Sequence, residues 1–320
     1  MSVFQAISAR LQALSTRQLQ RYVAIAAAAV VTGVILFAGY YYLDRYTHPQ
    51  APSPVEHGIS QLETVVRDNP QDPAARVALA QLYVEKGRYG EAFDQTQQVL
   101  TAVPGDELAL LIHGVSAAAL QRTDVAIASL EKFVAARQDK ATAAADMDLE
   151  TAYYYLGTLY NQQGQSAKAV TVLEAALAIS PTDADALYEA GRAHQALGQS
   201  QQAVETLLRA ARLVPDFEEV YGVLITSYTA LNQPDGATYA RGMQAFSRED
   251  WSTAQAQLER ATKALPQFAP AFVGLGLTYE KLGRTADALA AFTQASLLDP
   301  DDFATQQALG RLQSARKSGG

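Results

Sequence analysis

The chain has 320 residues, 49% of them hydrophobic and 18% charged, with no cysteine and a net charge of −8. Lack of cysteine excludes disulfides, thiolate metal sites, cysteine nucleophiles and a lipidated cysteine. The four arginines against Asp44 in residues 1–45 leave the remainder at about −11, an acidic body without the basic stripe that a nucleic-acid backbone requires. Alanine, glutamine and leucine dominate, Gly and Pro recur at intervals, and no stretch alternates with period two, so the fold class is all-α.

Residues 1–20 place Phe4, Ile7, Leu11 and Leu14 at helical spacing among Gln and Arg, as in an amphipathic helix lying on a membrane surface. From Tyr22 to Leu43 no residue is charged, with Arg21 and Asp44 as brackets. As a helix this run spans roughly 33 Å, enough to cross the hydrocarbon core. Tyr22 at one end and Tyr40, Tyr41 and Tyr42 at the other sit where aromatic belts form. The run is longer than a signal-peptide core and ends in no clean cleavage site, so residues 21–44 are expected to be a retained transmembrane anchor. Gly33 and Gly39 are six apart and give no GxxxG dimer signal. Arg10, Arg17 and Arg21 precede the span and only Arg45 follows closely. By the positive-inside rule residues 1–20 are cytoplasmic and the body lies across the cell (inner) membrane, on the periplasmic side in a bacterium. Residues 45–54, with three prolines in His48–Pro54, read as a semi-rigid linker.

Beyond the linker the pattern changes to a repeat. In Glu150–Asp183 the residues Gly157, Tyr160, Gly164, Ala169, Leu173, Ala176 and Pro181 fall at places 8, 11, 15, 20, 24, 27 and 32 of a 34-residue frame. Small residues at 8, 20 and 27 let two antiparallel helices approach closely, large ones at 11 and 24 fill the space between, and the proline ends the second helix. This spacing resembles the tetratricopeptide repeat. The frame recurs at Pro73–Asp106, Glu107–Lys140, Ala184–Phe217, Asp235–Phe268 and Ala269–Asp302. Val55–Asn69 reads as a lone capping helix with Gly58, Leu62 and Val65 inward, and Phe303–Arg316 as a C-terminal cap before a frayed tail, residues 317–320.

Two places break the frame. Ala141–Leu149 is a nine-residue insertion, alanine-rich with Asp146 and Asp148, and predicts a lengthened helix. Glu218–Pro234 is a half repeat. Either Gly236–Ser247 serves both as partner of the preceding helix and as first helix of its own repeat, or a helix is missing and the stack has a gap. Sharing leaves no apolar face open to water and is the favoured reading.

The resemblance covers residues 55–316 and implies a right-handed superhelix whose first helices line a concave groove for an extended or helical peptide. Carried onto this chain, the family's groove places name Tyr154, Thr158, Asn161, Tyr188, Arg192, Gln195, Tyr239, Met243 and Phe246, with Val77, Gln81, Val84, Leu111, Val115, Thr226, Val273 and Leu277 beside them. Val77 and Gln81 stand where chaperone-binding members carry a Lys–Asn carboxylate clamp, so that clamp is absent. Aromatic residues and arginine are the types that dominate binding hot spots.

No catalytic, nucleotide or metal signature is present. His113 and His194 fall at packing places, and Asp183, Asp185, Asp299, Asp301 and Asp302 sit at inter-repeat turns where aspartate caps helices. The expectation is therefore a non-enzymatic adaptor or scaffold with no cofactor, metal, nucleic acid or small-molecule substrate. It would bind a protein or peptide partner and hold to the membrane through residues 22–43, acting in assembly, secretion or chaperone-like hand-off. A permanent structural subunit of a membrane complex is the main alternative, and an accessory factor for cytochrome c biogenesis a minor one.

Overall fold

The computed structural model describes residues 27, 30–42 and 53–318. They fall into two compact units, residues 1–60 and 61–320. In the first, residues 30–42 are helical and exposed throughout, Val30, Phe37 and Tyr40 included. Among the described residues no helix is long and apolar enough to cross a membrane. The predicted span 22–43 is described only in part, and residues 1–20 and 45–52 lie outside the described residues.

Ser53 and Pro54, assigned by sequence to the linker, instead open a helix, α1 (Pro54–Asp68). The Ser53 N–H donates to Glu56 Oε2 at 2.9 Å and the Glu56 N–H to Ser53 Oγ at 3.3 Å, a reciprocal capping box with proline at the first helical position. Within the second unit α1 departs from the repeat frame: Val65 points to solvent and Val66 is the buried residue. The Tyr83 hydroxyl donates to Glu63 at 2.8 Å and holds this end of the stack.

The pairs that follow are α2 (Pro73–Glu85) with α3 (Tyr89–Ala102), α4 (Glu107–Ala119) with α5 (Thr123–Arg137), α6 (Met147–Gln162) with α7 (Ser166–Ile179), and α8 (Ala184–Ala196) with α9 (Ser200–Leu213). After them come α10 (Glu218–Ala230), α11 (Pro234–Ser247), α12 (Trp251–Ala264), α13 (Ala269–Lys281), α14 (Thr285–Leu298) and α15 (Phe303–Ser318). The last helix runs two residues past the predicted Arg316, so Lys317 and Ser318 are helical rather than frayed tail.

One contact recurs in the pairs. A Cβ built on Gly114, Gly157, Gly191 or Gly242 would lie 2.3 to 2.7 Å from Cγ of Leu130, Leu173, Leu207 or Leu258, and one on Gly276 2.8 Å from Phe292. Glycine at place 8 thus admits a fully buried side chain at place 24, each burial contributing about 1.5–3 kcal/mol. The first repeat reaches the same fit with other volumes: Ala80 at place 8 and Thr96 at place 24 are both fully buried. The Thr96 hydroxyl donates to the Ala92 and Phe93 carbonyls and so needs no distant partner.

Two turn types alternate along the solenoid. Inside a repeat the residue at place 15 has positive φ: Gly87, Gly164, Gly198 and Gly283, but also Gln121, Asn232 and Glu249. The next N–H reaches back to the carbonyl at place 11, as in Gln165 to Tyr160 at 2.8 Å, a Schellman closure. Between repeats a short turn leads to an aspartate cap at α2, α4 and α8, as in Asp106 to the Ala109 N–H at 2.8 Å and Asp183 to the Ala186 N–H at 3.0 Å, whereas Phe217 and Phe268 stand uncapped before α10 and α13.

Only the end of the insertion lengthens a helix: Met147–Leu149 start α6 early and give it 16 residues against 13 in α2, α4, α8 and α10. Ala143–Ala145 form a single 3₁₀ turn, Asp146 caps α6, and α6 begins only three residues ahead of the frame. Arg137 holds the loop, lying 3.4 Å from Glu107, 3.1 Å from Asp146 and 3.0 Å from Asp148, with Lys140 on Glu107 at 2.6 Å. Alanine propensity is outweighed there by this charged tether and by the cap at Asp146.

The half repeat resolves in favour of a shared helix. Helix α11 packs about as extensively on α10 before it as on α12 after it. Turn chemistry gives the same result independently. Asn232 before α11 and Glu249 after it both have positive φ, so α11 is entered and left through intra-repeat turns with no inter-repeat turn between. Glycines on three sides make this fit. Gly236 faces the Tyr228 ring of α10, Gly242 faces Leu258 of α12, and Gly274 of α13 faces Met243, with a hypothetical Cβ 2.4 to 2.7 Å away in each case.

First helices of successive repeats touch one another (α2 on α4, α4 on α6, α6 on α8, α8 on α10), whereas second helices do not stack to a comparable extent. The first helices are therefore the inner row. At the shared helix the row steps from α10 to α11 and continues to α13. Because consecutive helices alternate in direction, inner helices run one way up to α10 and the opposite way from α11.

Side chains at positive φ cost about 1–2 kcal/mol relative to glycine, partly offset by the entropy glycine loses on folding. Gln121→Gly and Glu249→Gly are each expected to stabilise the fold by about 0.5–1 kcal/mol, seen as a higher urea midpoint. Gly191→Ala should lower it by about 1–3 kcal/mol through overpacking against Leu207. A lower midpoint for the first two would contradict the turn assignment.

Candidate binding groove

In the inner row up to α10, predicted groove residues of two neighbouring helices are partly accessible. Tyr154, Thr158 and Asn161 project from α6 and Tyr188, Arg192 and Gln195 from α8, all half-buried. Place spacing explains the set: positions three or four apart share one helix face.

At its centre lies a carboxylate that sequence reading did not single out. Glu189 of α8 is buried, and two side chains hold its carboxylate through three hydrogen bonds. Asn161 gives its side-chain amide to the Glu189 carboxylate at 2.8 Å and to the Glu189 carbonyl at 2.9 Å. Arg192 donates to both carboxylate oxygens, at 2.9 and 3.1 Å. The guanidinium also stands 5.6 Å from the Tyr188 ring centre, and Tyr188 packs on Phe217 at 5.1 Å. On α6 the Tyr154 ring meets Tyr155 edge-on at 5.5 Å, and the Thr158 hydroxyl donates to the Tyr154 carbonyl. Burial, then the nearby Asp185 and Glu189 charges, push the Tyr154 phenol up to about 12. Burial also raises Tyr188, against the opposing pull of Arg192. Both phenols are neutral hydrogen-bonding groups at physiological pH.

The remaining predicted groove residues are placed otherwise. Tyr239, Met243 and Phe246 are only 3%, 3% and 6% exposed. They belong to the shared helix, where Tyr239 meets Phe268 and Phe246 meets Trp251 edge-on, and are core rather than groove. Val77, Leu111 and Val115 are buried as well, while Gln81 and Thr226 are exposed and Val84, Val273 and Leu277 half-buried. The partly accessible cluster is thus confined to α6 and α8.

Both repeat histidines are packing residues. His113 stacks on Phe93 at 4.2 Å with Nδ1 2.9 Å from Ser129 Oγ, and burial pulls its pKa down. His194 Nδ1 lies 2.7 Å from Gln199 Oε1. Among the described residues no group of His, Asp or Glu could hold a metal ion. Of the turn aspartates, Asp183 caps α8 as expected, Asp299 pairs with Arg212 at 3.0 Å, and Asp185 is exposed and caps nothing.

Near the start of α6 a second carboxylate is strained electrostatically. Glu150 of α6 is 6% exposed, its Oε1 is buried without a hydrogen bond, and it faces Asp183. Burial first, then the Asp183 contact, push its carboxyl up to about 7. Burial and the neighbouring Asp183 both favour the protonated form of Glu150.

Tetratricopeptide-repeat profiles match residues 58–115 and 160–225 in one form and 111–184 and 239–303 in another. Among characterised proteins, BBSome complex member BBS4 of Bos taurus is 25% identical over 186 residues, 58% of this chain and 34% of that protein. The chain therefore spans about a third of that relative's length. Among solved structures, the MamA protein is 23% identical with a TM-score of 0.48, over 56% of this chain and 93% of that one. The type IV pilus biogenesis factor PilW is 20% identical with a TM-score of 0.43, over 75% and 99%.

Glu150 holds its proton more tightly in the folded chain than in the unfolded one. The unfolded carboxyl titrates near 4.5 and the folded one near 7, so between them the native state holds a proton that the unfolded state lacks. The stabilisation is complete below about 4.5 and is lost as pH rises through 7. Glu150→Gln should remove that fall and raise the urea midpoint at pH 8 relative to the parent, by an amount on the order of a few kcal/mol. Parallel midpoints for parent and variant from pH 5 to 8 would show that Glu150 carries no such proton.

Proposed function

The chain belongs to the tetratricopeptide-repeat family, and from that premise we propose that it is a membrane-anchored adaptor which holds a partner protein in the α6–α8 section of its inner row. The observation that carries this reading is the Tyr154–Asn161–Glu189–Arg192–Tyr188 cluster, which is pre-organised by internal hydrogen bonds yet remains partly accessible. A site of this kind binds with little side-chain ordering left to do, which favours affinity.

Anchoring rests on the uncharged run 22–43 and on the arginines that precede it. In this proposal residues 1–20 are cytoplasmic and the repeats lie on the far side, the periplasm if the source is bacterial. The second reading, a permanent subunit of a membrane complex, draws support from Leu297 and Phe303, which are 71% and 74% exposed near the C-terminal end. Large apolar side chains left in water there suit a standing protein contact.

Cross-linking in native membranes separates the two. Under the adaptor reading the parent captures a partner that Tyr154→Ala/Tyr188→Ala/Arg192→Ala loses, a drop of at least about tenfold given that hot-spot truncations cost about 2 kcal/mol or more each. Equal capture by both proteins would move the interface away from the groove and favour the subunit reading. Side-specific protease or thiol labelling of single-cysteine variants, feasible because the chain has no cysteine, reads the orientation directly.

A further inference from the structure

The groove proposal leaves the chemistry of the occupant open, and charge narrows it. Inner-row helices α2, α4, α6, α8 and α10 contain Glu85, Glu107, Asp148, Glu150, Asp185, Glu189, Glu218 and Glu219 against only Arg76 and Arg192. Both cations are already committed. Arg76 donates to the Pro70 carbonyl and to Gln95, and Arg192 holds Glu189.

An anionic ligand, such as a peptide C-terminus, would find only the Arg192 N–H groups not given to Glu189, because Nη1 holds that carboxylate, and taking Nη1 as well would unpair it. That would leave a buried carboxylate with Asn161 as its only remaining donor, a loss that is strongly destabilising. The Glu189–Arg192 pair therefore sums to no charge, and the field in the groove is set by what remains. In α6, α8 and α10, Asp148 and Glu218 are paired with Arg137 and Arg248 from outside these helices and Glu150 is buried, which leaves Asp185 and Glu219 as exposed carboxylates with no ion pair or hydrogen bond among the described residues. Asp185 stands one helical turn ahead of Tyr188 on α8, Glu219 holds the matching frame place on α10, and, after burial, their charges help to raise the Tyr154 and Tyr188 phenols respectively. Half-buried tyrosine faces beside unpaired carboxylates make a receptor for a cation on an aliphatic stem.

We propose that the α6–α8–α10 section of the inner row binds a basic segment of a partner protein, lysine or arginine side chains stacking on Tyr154 and Tyr188 and pairing with Asp185 and Glu219. This rests on the adaptor reading of the same groove. The recognition is electrostatic and aromatic together, so it weakens with salt and with loss of either component.

The test is a random dodecapeptide library screened on the full chain, followed by fluorescence anisotropy with the strongest retained peptide. Retained sequences are expected to be enriched in Lys and Arg. Asp185→Asn/Glu219→Gln should weaken that peptide about tenfold, and salt above about 0.15 M should weaken it further. Unchanged circular dichroism verifies that the variant is folded. Retention of acidic or uncharged peptides that respond to Tyr154→Ala/Tyr188→Ala but not to the charge variant would overturn the basic-segment assignment and leave the groove standing. Peptides indifferent to both variants, or no retained peptide at all, would overturn the groove reading and the charge assignment together.

Discussion

A glycine set against a leucine is the contact on which the rest of this structure depends. With no Cβ at Gly157, Gly191 or Gly242, the first helix of a pair comes close enough for Leu173, Leu207 or Leu258 to be wholly enclosed. Enclosure fixes the distance between the two helices, and that distance fixes how the next pair can stack. Exposed faces of the inner row then acquire their spacing as a by-product. Tyr154 and Tyr188 lie on adjacent inner helices because they occupy the same frame place, one repeat apart.

The same rule explains the exception. Helix α11 is enclosed on three sides, and each side needs a glycine: Gly236, Gly242, or Gly274 across the interface. Satisfying neighbours on both sides removes its face from the groove. Aromatic side chains that would recognise a ligand in an ordinary first helix are here consumed as core, with Tyr239 wholly desolvated and its phenol pushed far up by burial. Binding capacity and structural continuity compete for one surface, and at this helix continuity takes it.

Much of this was legible in the residues. Helix pairs, the cap at Asp183 and the shared helix follow from a frame in which small and large residues alternate at set places. What was not legible shares one cause: a frame records position within a repeat, not neighbours outside it. It assigns Tyr154 and Tyr239 the same place, yet only the stacking partner decides that one is accessible and the other core. Glu189 looked like a routine helical residue until Asn161, a repeat away, was brought to 2.8 Å. Ala141–Leu149 looked helical by propensity because Arg137, which tethers the loop, lies outside it. Left-handed turns at Gln121 and Glu249 were hidden for the opposite reason, since the frame demands that conformation and the residue type disguises it.

Reversal of the inner row at α11 has a consequence for what the array can read. Helix ends carry opposite partial charges, donor-rich at the start and acceptor-rich at the end. From α2 to α10 every inner helix begins on the same rim, and from α11 onward the inner helices begin on the other. A ligand that follows the inner row across this seam meets a rim whose polarity has been exchanged, so its own charge pattern cannot match both stretches in one direction. The solenoid is in that sense two texts written head to head, and a partner fitted to one has no register in which to continue into the other.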